Sequence, residues 1–339
     1  MKKKTALVLI ILMLMAMVLI IFSKQARQGA ADGLALAENT IIPSLAPLLI
    51  IFLLIMKTGA KDLLARAFGF ISVHVFNLPQ ITFPAIFFGL IGGYPMGALL
   101  TNELLKSGDI DEKQARRLLR FNFCGGCGFI ITAVGTTVLN NTKAGAVLFL
   151  SNVISSVIIG FALSFTEKRR NAPYYSYTEY RKLGDVLSES VSDAVKSLLN
   201  MTAFIILFCA FNVVIDFPDF LAPVIEITSG ICTNSRFAIP MTSAYLAFGG
   251  FCIHFQMLFV VDQAKMKYAD FLLFRLISAV ISYGVSKILL IFIPIEEAVF
   301  SNASIKVAEF SSVNTVLSVL MVIGCFVIVM DIRSKKKVI

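Results

Sequence analysis

The sequence predicts an all-α polytopic membrane protein built from two inverted repeats with broken or re-entrant helices. The 339 residues are 58% hydrophobic and only 15% charged, with a mean hydropathy of +0.85, whereas a soluble domain carries about a quarter charged residues. Several apolar runs are long enough to span the roughly 30 Å of hydrocarbon in a bilayer. Two of them are interrupted by paired glycines at corresponding positions of the two halves.

The distribution of charge points to a membrane topology. The net charge is +9, and the lysines and arginines form short clusters at the edges of apolar segments, which is typical of cytoplasmic loops. We therefore expect a lipid bilayer and no nucleic acid as partner. The six cysteines lie in or near apolar stretches without a secreted-type spacing, so no disulfide is predicted.

The apolar runs predict the membrane spans. After Lys2, Lys3 and Lys4, residues 5–22 are expected to form an uncleaved helix with its N-terminus inside. Residues 111–121 suit an interfacial helix. Further spans are predicted at 39–56, 121–139, 144–165, 198–214, 271–292 and 313–330. Seven crossings would place the basic C-terminus outside, against the positive-inside rule, so the assignment of one crossing in the second half stays open.

The stretch Gly92-Gly93-Tyr94-Pro95, followed by Gly97, interrupts an apolar run. Glycine and proline both disfavour a continuous helix, and broken backbone survives in a membrane only where protein or a water-filled cavity satisfies its polar groups. This stretch is the first candidate for a binding site. The alternative is a proline kink with glycines for close packing. The segment 68–106 begins and ends in basic clusters, so it is either a re-entrant hairpin or a pair of short helices.

An internal repeat relates the two halves. A shift of 157 residues places 44–50 on 201–207 and 91–97 on 248–254, so that Gly249 and Gly250 match the first glycine pair. The basic clusters predict that the second half is inverted, and paired breaks in inverted halves are typical of midplane sites in secondary transporters. The predicted division is an N-terminal helix and loop (1–33), repeat 1 (34–166), a cytoplasmic linker (167–184), repeat 2 (185–311), and a C-terminal helix with a basic tail (312–339).

Several of these stretches resemble a known family. They are residues 42–52, the motif at 92–98, the segment 122–135 and Gly250-Phe251-Cys252-Ile253-His254-Phe255-Gln256. They are similar to the YlbJ/SpoVV sporulation membrane proteins over about 39–292. The resemblance implies two nucleoside-recognition (Gate) repeats and a transporter in the cell membrane or forespore membrane of a spore-forming bacterium, with dipicolinate as a family substrate. The chain differs at 124–128, where an Asn-Pro-like pair is usual.

Polar residues near the breaks complete the candidate site. Glu103 is either functional or paired with Lys106, and His254 is either a ligand or a hydrogen-bonded structural residue. The asparagines either bind solute or bond carbonyls across helices. The candidate substrate-binding residues are Gly92, Gly93, Tyr94, Pro95, Gly97, Asn102, Asn122, Gly128, Asn200, Gly249, Gly250, His254 and Gln256.

The leading hypothesis is a transporter or facilitator of a small polar organic solute, either a carboxylate or a nucleoside-like heterocycle, working by alternating access. Half-helix N-termini at the breaks would supply free amides, and a bulky apolar residue at Gly93 or His254 is expected to abolish uptake. The alternative is a non-transporting scaffold for spore-envelope assembly that recruits a partner through 167–182. Coupling to protons or Na⁺ and assembly as a homo-oligomer are left open.

We expect no enzyme, cofactor or metal site. No Walker-type, His-Glu-x-x-His or Gly-x-Ser-x-Gly motif occurs in the sequence, and these motifs carry phosphate binding and hydrolytic chemistry. Cys124-x-x-Cys127 has no second cysteine pair nearby, although tetrahedral zinc needs three or four protein ligands. Close packing of small residues explains this segment more simply.

Overall fold

The computed structural model describes residues 2–166, 182–215, 218–233 and 237–295. These residues are mostly helical and include no strand. Four helical units in this part of the chain are long and apolar enough to cross a membrane, and a fifth is formed if one sharply bent pair counts as a single span. The predicted all-α polytopic membrane class is confirmed. The predicted span at 313–330 and nearly all of the linker lie outside the described residues.

The first half contains eight α-helices joined by short irregular segments. Two π-helical segments, Ala37–Ile41 and Gly128–Val138, and a 3₁₀ turn, Gln80–Thr82, lie between them. The helices are α1 (Lys2–Ile21), α2 (Ser23–Leu36), α3 (Ile42–Met56), α4 (Ala60–Phe76), α5 (Phe83–Gly92), α6 (Tyr94–Lys106), α7 (Glu112–Phe121) and α8 (Thr142–Ser164).

The second half repeats a similar order with fewer described elements. One long helix is followed by two short helices, a broken pair and a final long helix. These helices are α9 (Leu183–Ile215), α10 (Ala222–Ile225), α11 (Ile227–Thr233), α12 (Ile239–Phe248), α13 (Gly250–Gln263) and α14 (Tyr268–Phe292).

The longest helical units begin each repeat and run in opposite directions. Helix α2, the first π-helical segment and α3 form one unit of 34 residues, and α9 has 33 residues. A Cβ atom at Gly29 would lie 2.5 Å from the carbonyl oxygen of Cys209 near the end of α9. At the other end of the unit, Lys57 Nζ lies 2.8 Å from Glu189 Oε1 near the start of α9. The two long units therefore pack antiparallel to each other.

Both predicted helix breaks are present. Helix α5 ends at Gly92, and Gly93 separates it from α6 with φ 113°. Helices α12 and α13 are separated at Gly249 and Gly250, which have φ 89° and 72°. Residues with side chains rarely adopt these angles, whereas glycine does so without a Cβ clash. A further bend of 101° separates α4 from the segment 80–92, so the first break belongs to a pair of short helices after a sharp turn.

One predicted span is interrupted and others are longer than expected. Residues 122–126 are not helical, so the span predicted at 121–139 is reduced to the π-helical segment Gly128–Val138. The interruption follows from packing, since a Cβ atom at Gly126 would lie 2.8 Å from the carbonyl oxygen of Gly92. The spans predicted at 39–56 and 198–214 lie inside the two long units, and those at 144–165 and 271–292 correspond to α8 and α14.

Candidate functional site

The two helix breaks meet inside the protein. Tyr94, the first residue of α6, is buried, and its hydroxyl donates a hydrogen bond of 2.6 Å to the carbonyl oxygen of Leu246 near the end of α12. Gly249 also packs against this site, because a Cβ atom there would lie 3.4 Å from the Tyr94 ring. The two irregular segments therefore meet at one place.

A small cavity, here called the inner cavity, lies beside this contact. Its volume is about 40 Å³, which leaves room for about two or three water molecules. Most of its wall is apolar. The residues around it come from both halves and include Ser44, Gly93, Tyr94, Pro95, Gly126, Glu226, Thr228 and Gln256.

A larger cavity, the outer cavity, adjoins the inner one. Its volume is about 340 Å³, within the usual range of about 300–1,000 Å³ for small-molecule sites. Three residues border both cavities: Pro95, Met201 and Gln256. The outer cavity is also lined by amide and charged side chains, namely Asn102, Asn200, Glu103, Lys106, Asp193 and Lys196.

Glu226 places a carboxylate on the inner cavity. The residue is completely buried. Its Oε1 accepts a hydrogen bond of 3.0 Å from the backbone N–H of Thr228, and its Oε2 accepts one of 2.6 Å from the N–H of Ser229. Sequence reasoning missed this residue. The signal was present, because an ionisable residue inside an apolar stretch is by default a functional candidate in a membrane protein.

Two buried amide oxygens beside the cavities lack a partner among the described residues. They are Oε1 of Gln256 and Oδ1 of Asn102, on side chains that line the outer cavity, with Gln256 also lining the inner one. A buried acceptor without a donor costs about 1–3 kcal/mol. The arrangement therefore has unused hydrogen-bonding capacity for a solute, water or a protonated group.

Comparison with known proteins finds a similar membrane protein. No protein-family model matches the chain, and no solved structure matches it. The chain is 22% identical over 323 residues to the sporulation integral membrane protein YlbJ of Bacillus subtilis (strain 168), covering 80% of this chain and 78% of that protein. With its four or five candidate spans, the chain is a multi-pass membrane protein that is similar to YlbJ. The Gate-repeat assignment stays a prediction.

Some predicted site residues shape the first break without lining either cavity. Asn122 Nδ2 donates to the carbonyl oxygen of Ala85 at 2.9 Å and contacts that of Gly97 at 3.5 Å. A Cβ atom at Gly97 would lie only 2.1 Å from the Asn122 carbonyl oxygen, and one at Gly92 would lie 2.9 Å from Met96. These residues set the separation of α5 and α6.

The remaining glycines hold neighbouring segments close to the cavities. A Cβ atom at Gly250 would lie 3.0 Å from the backbone nitrogen of Ile227, the residue that follows Glu226. Gly128 begins the second π-helical segment and lies against Ser44. A Cβ atom at Gly128 would lie 3.4 Å from the Cβ atom of Ser44. Gly250 therefore permits the approach of the turn that carries the buried carboxylate.

His254 lies in an aromatic cluster rather than in either cavity. Its Nε2 is 2.9 Å from the carbonyl oxygen of Phe248, and its Nδ1 is 3.1 Å from the hydroxyl of Tyr268. The phenyl rings around it belong to Phe123, Phe248, Phe251 and Phe271. Gln256, two residues later, points about 200° around the helix from His254. The structure thus gathers Gly93, Tyr94, Pro95, Asn102, Asn200 and Gln256 at the cavities and leaves His254 apart.

Lys57 connects the two repeats close to the outer cavity. Its side chain is only 2% exposed and forms ion pairs with Glu189, at 2.8 Å, and with Asp193, which lines that cavity. Burial by itself lowers the pKa of Lys57, but hydrogen bonds to Asp193 and Glu189 outweigh it, so the pKa is raised. A charged ammonium therefore holds the end of α3 against the start of α9.

The described residues contain no group of three or more His, Cys, Asp or Glu side chains placed to hold a metal ion. The segment that contains Cys124 and Cys127 instead packs closely on the first break. A Cβ atom at Gly126, which lies between the two cysteines, would be 2.8 Å from the Gly92 carbonyl oxygen. Phe123, next to Cys124, is held by Arg275, whose Nη1 donates to the Phe123 carbonyl oxygen at 3.0 Å.

Proposed function

We propose that this YlbJ-like protein is a membrane transporter or facilitator of a small polar organic solute, working by alternating access. The observation that carries the proposal is the meeting of two broken helices around two adjoining cavities. Irregular backbone at membrane depth is stable only where protein or a water-filled cavity satisfies it. Paired breaks at an internal repeat are the usual construction of a solute site in secondary transporters.

The lining of the outer cavity favours a carboxylate solute. Asn102, Asn200 and Gln256 offer amide groups, and Lys106 and Lys196 add positive charge. Glu103 and Asp193 belong to the same lining, so it carries charges of both signs; the helix that starts at Tyr94 directs its positive dipole end toward the same region. A small dicarboxylate such as dipicolinate is the first candidate, and a nucleoside-like heterocycle is the second. The name of the relative places that protein in sporulation, and we extend this setting to the present chain.

Alternating access needs contacts that open when the halves move. Tyr94 and Leu246 join the two breaks at the inner cavity, whereas Lys57, Glu189 and Asp193 join the two long units beside the outer cavity. In the proposed cycle, the ion pairs of Lys57 separate when the halves rock. The solute then passes the shared border at Pro95, Met201 and Gln256.

The test is uptake of labelled dipicolinate into liposomes containing the purified protein, with other dicarboxylates and nucleosides as competitors. Gly93→Val should reduce uptake to the level of empty liposomes, because a side chain at φ 113° is strained and would meet Gly126. The matched control is Gly284→Ala, where a Cβ atom meets nothing within 4 Å. Wild-type protein that is folded and takes up none of these solutes would refute the proposal and favour the scaffold.

A further inference from the structure

We propose that Glu226 is a proton-binding site on the inner cavity, and that its protonation couples proton movement to movement of an anionic solute. The coupling part of this inference rests on the transport function proposed above. The proton site itself rests on the surroundings of one side chain and can be tested without any transport measurement.

The surroundings of Glu226 allow both an ionised and a protonated carboxyl. Backbone N–H groups of Thr228 and Ser229 donate to its two oxygens, and such bonds favour the ionised form. Complete burial beside a mostly apolar cavity favours the neutral acid, because an isolated charge is costly there.

The side chain of Gln256 supplies a partner for the protonated state. Its Oε1 is buried, lines the same cavity and has no donor among the described residues. A carboxylate can only accept hydrogen bonds, whereas a carboxylic acid also donates one. Protonated Glu226 can donate toward Gln256 through water in the inner cavity, which both residues line. Protonation of Glu226 thus supplies a donor for an acceptor that otherwise has to be satisfied by water or by a solute.

Several titratable groups lie on the helices packed around Glu226. Among the described residues, none of these groups is a cation in contact with the Glu226 carboxylate. Glu226 interacts electrostatically with Tyr94 of α6, Cys209 of α9 and Cys232 of α11, and also with Cys252 of α13. Asp32 of α2 acts on the same Cys209 thiol. Tyr245 of α12 donates instead to the Phe220 carbonyl oxygen. Beyond Tyr94 lies Arg275, which donates to the carbonyl oxygens of Phe123 and Arg120. The Cys209 thiol also donates to Glu226 Oε2 at 3.9 Å, so the described groups against the carboxylate are neutral hydrogen-bond donors and not cations.

Protonation of Glu226 gives a simple rule for coupling. Ionised Glu226 would strongly repel an anionic solute in the cavity, because charges interact more strongly in a low-dielectric interior than in water. As the solute enters, a carboxylate oxygen of Glu226 accepts a proton from a hydronium ion in the water of the entry side; an O–H bond of the hydronium breaks, an O–H bond forms on Glu226, and neutral water remains. The same proton returns to water when the solute leaves on the other side. One proton then accompanies each solute, and one negative charge is neutralised in the occupied state.

The proton site is tested by infrared spectroscopy of the purified protein in lipid across a range of pH values. We expect a carbonyl-stretching band of a buried protonated carboxyl that changes with pH, is lost in Glu226→Gln and persists in Glu226→Asp, which keeps an ionisable group. Glu38→Gln is the control, since Glu38 is exposed on the first π-helical segment. A spectrum that is the same in wild type and Glu226→Gln would overturn the site.

Sodium binding is separated from proton binding by a thermal unfolding series. NaCl is compared with choline chloride at equal ionic strength and fixed pH. A proton site predicts equal stability in both salts. A ligand that binds only the folded state raises stability, so a Na⁺-specific rise that disappears in Glu226→Gln would overturn the proton assignment.

Coupling is tested in liposomes with an imposed pH gradient. We expect Glu226→Gln to lose gradient-driven accumulation while it still exchanges labelled for unlabelled solute. Accumulation equal to wild type would overturn the coupling but leave the transporter standing. If wild-type protein neither accumulates nor exchanges solute, the transport proposal and the coupling fail together, whereas the infrared band still decides the proton site.

Discussion

The side-chain amide of Asn122 donates a hydrogen bond of 2.9 Å to the backbone carbonyl of Ala85, and its own backbone carbonyl packs onto Gly97. Ala85 belongs to α5 and Gly97 to α6. Asn122, the residue that follows α7, therefore contacts both sides of the first helix break. The conformation of the break is therefore fixed by a residue that belongs to neither half-helix. A binding site between two half-helices needs this support, since small displacements of its groups weaken recognition.

Replacing Asn122 by leucine should destabilise the protein. The Ala85 carbonyl would lose its side-chain donor, and removing one partner of a buried hydrogen bond costs about 1–3 kcal/mol. Thermal unfolding in detergent measures the effect. Asn39→Ala is the control, because the Asn39 amide bonds to Ala35 in an exposed position and should change stability by less than about 0.5 kcal/mol. Equal shifts for the two variants would contradict this role of Asn122.

Close packing at Gly97 gives a second prediction. Gly97→Ala would place a Cβ atom 2.1 Å from the Asn122 carbonyl oxygen, whereas Gly284→Ala in the middle of α14 meets nothing within 4 Å. The first change should destabilise by about 1–3 kcal/mol. The second should be neutral or stabilise by up to about 1 kcal/mol, because alanine is the better helix former. Paired unfolding curves distinguish them, and a stable Gly97→Ala protein would show that the half-helices can separate freely.

The sequence predicts most of this fold because hydropathy and helix breakers act locally. Apolar length reveals α8 and α14, and the glycine pairs reveal both breaks. The full length of α9 is harder to predict, since its first turns are polar and resemble a separate surface helix. A helix continues through such residues when nothing interrupts its hydrogen bonds. The interruption at 122–126 depends on a tertiary contact with Gly92, which local patterns do not contain.

The site was predicted less completely than the fold. The sequence identifies Gly93, Tyr94, Pro95 and Gln256 because they lie at or near the breaks, and all four border the inner cavity. The direction of a side chain around a helix depends on packing, which is why His254 and Gln256, two residues apart, face different surroundings. Glu226 lies between two short helices that hydropathy alone does not resolve.

Lys57 gives a prediction with a defined pH dependence. Lys57→Gln would leave Glu189 and Asp193 without their shared ammonium partner. We expect a loss of about 1–3 kcal/mol at neutral pH, since breaking a buried pair is costly but the carboxylates are partly exposed. The pKa of Lys57 is raised in the folded protein. Its contribution is therefore complete below the ordinary lysine pKa of about 10.4 and is lost as pH rises through the higher folded value.

The matched control is Lys265→Gln. Lys265 pairs with Glu112 at 2.5 Å, but its side chain is 72% exposed, and exposed pairs contribute about 0–1 kcal/mol. Unfolding of wild type and both variants is measured at neutral and at strongly alkaline pH. The difference between wild type and Lys57→Gln should shrink in alkali. A difference that is independent of pH would mean that packing of the Lys57 stem, rather than its charge, stabilises the protein.

Gln256 and His254 occupy opposite faces of α13, and their variants should behave in opposite ways. Gln256→Leu removes an unpartnered buried oxygen from the border of both cavities. Stability should be unchanged or higher, whereas uptake of the labelled solute should fall to background. His254→Phe removes the partner of the Phe248 carbonyl oxygen and should cost about 1–3 kcal/mol, with uptake per folded molecule retained.

This expectation for His254 differs from that of the sequence, which placed the residue in the site. The structure gives both ring nitrogens partners within the aromatic cluster, so a solute would have to displace Phe248 or Tyr268 to reach it. Parallel measurements of unfolding and of uptake, normalised to folded protein, decide between the two. Loss of uptake in a fully stable His254→Phe protein would return this residue to the solute path and would require α13 to rotate during the transport cycle.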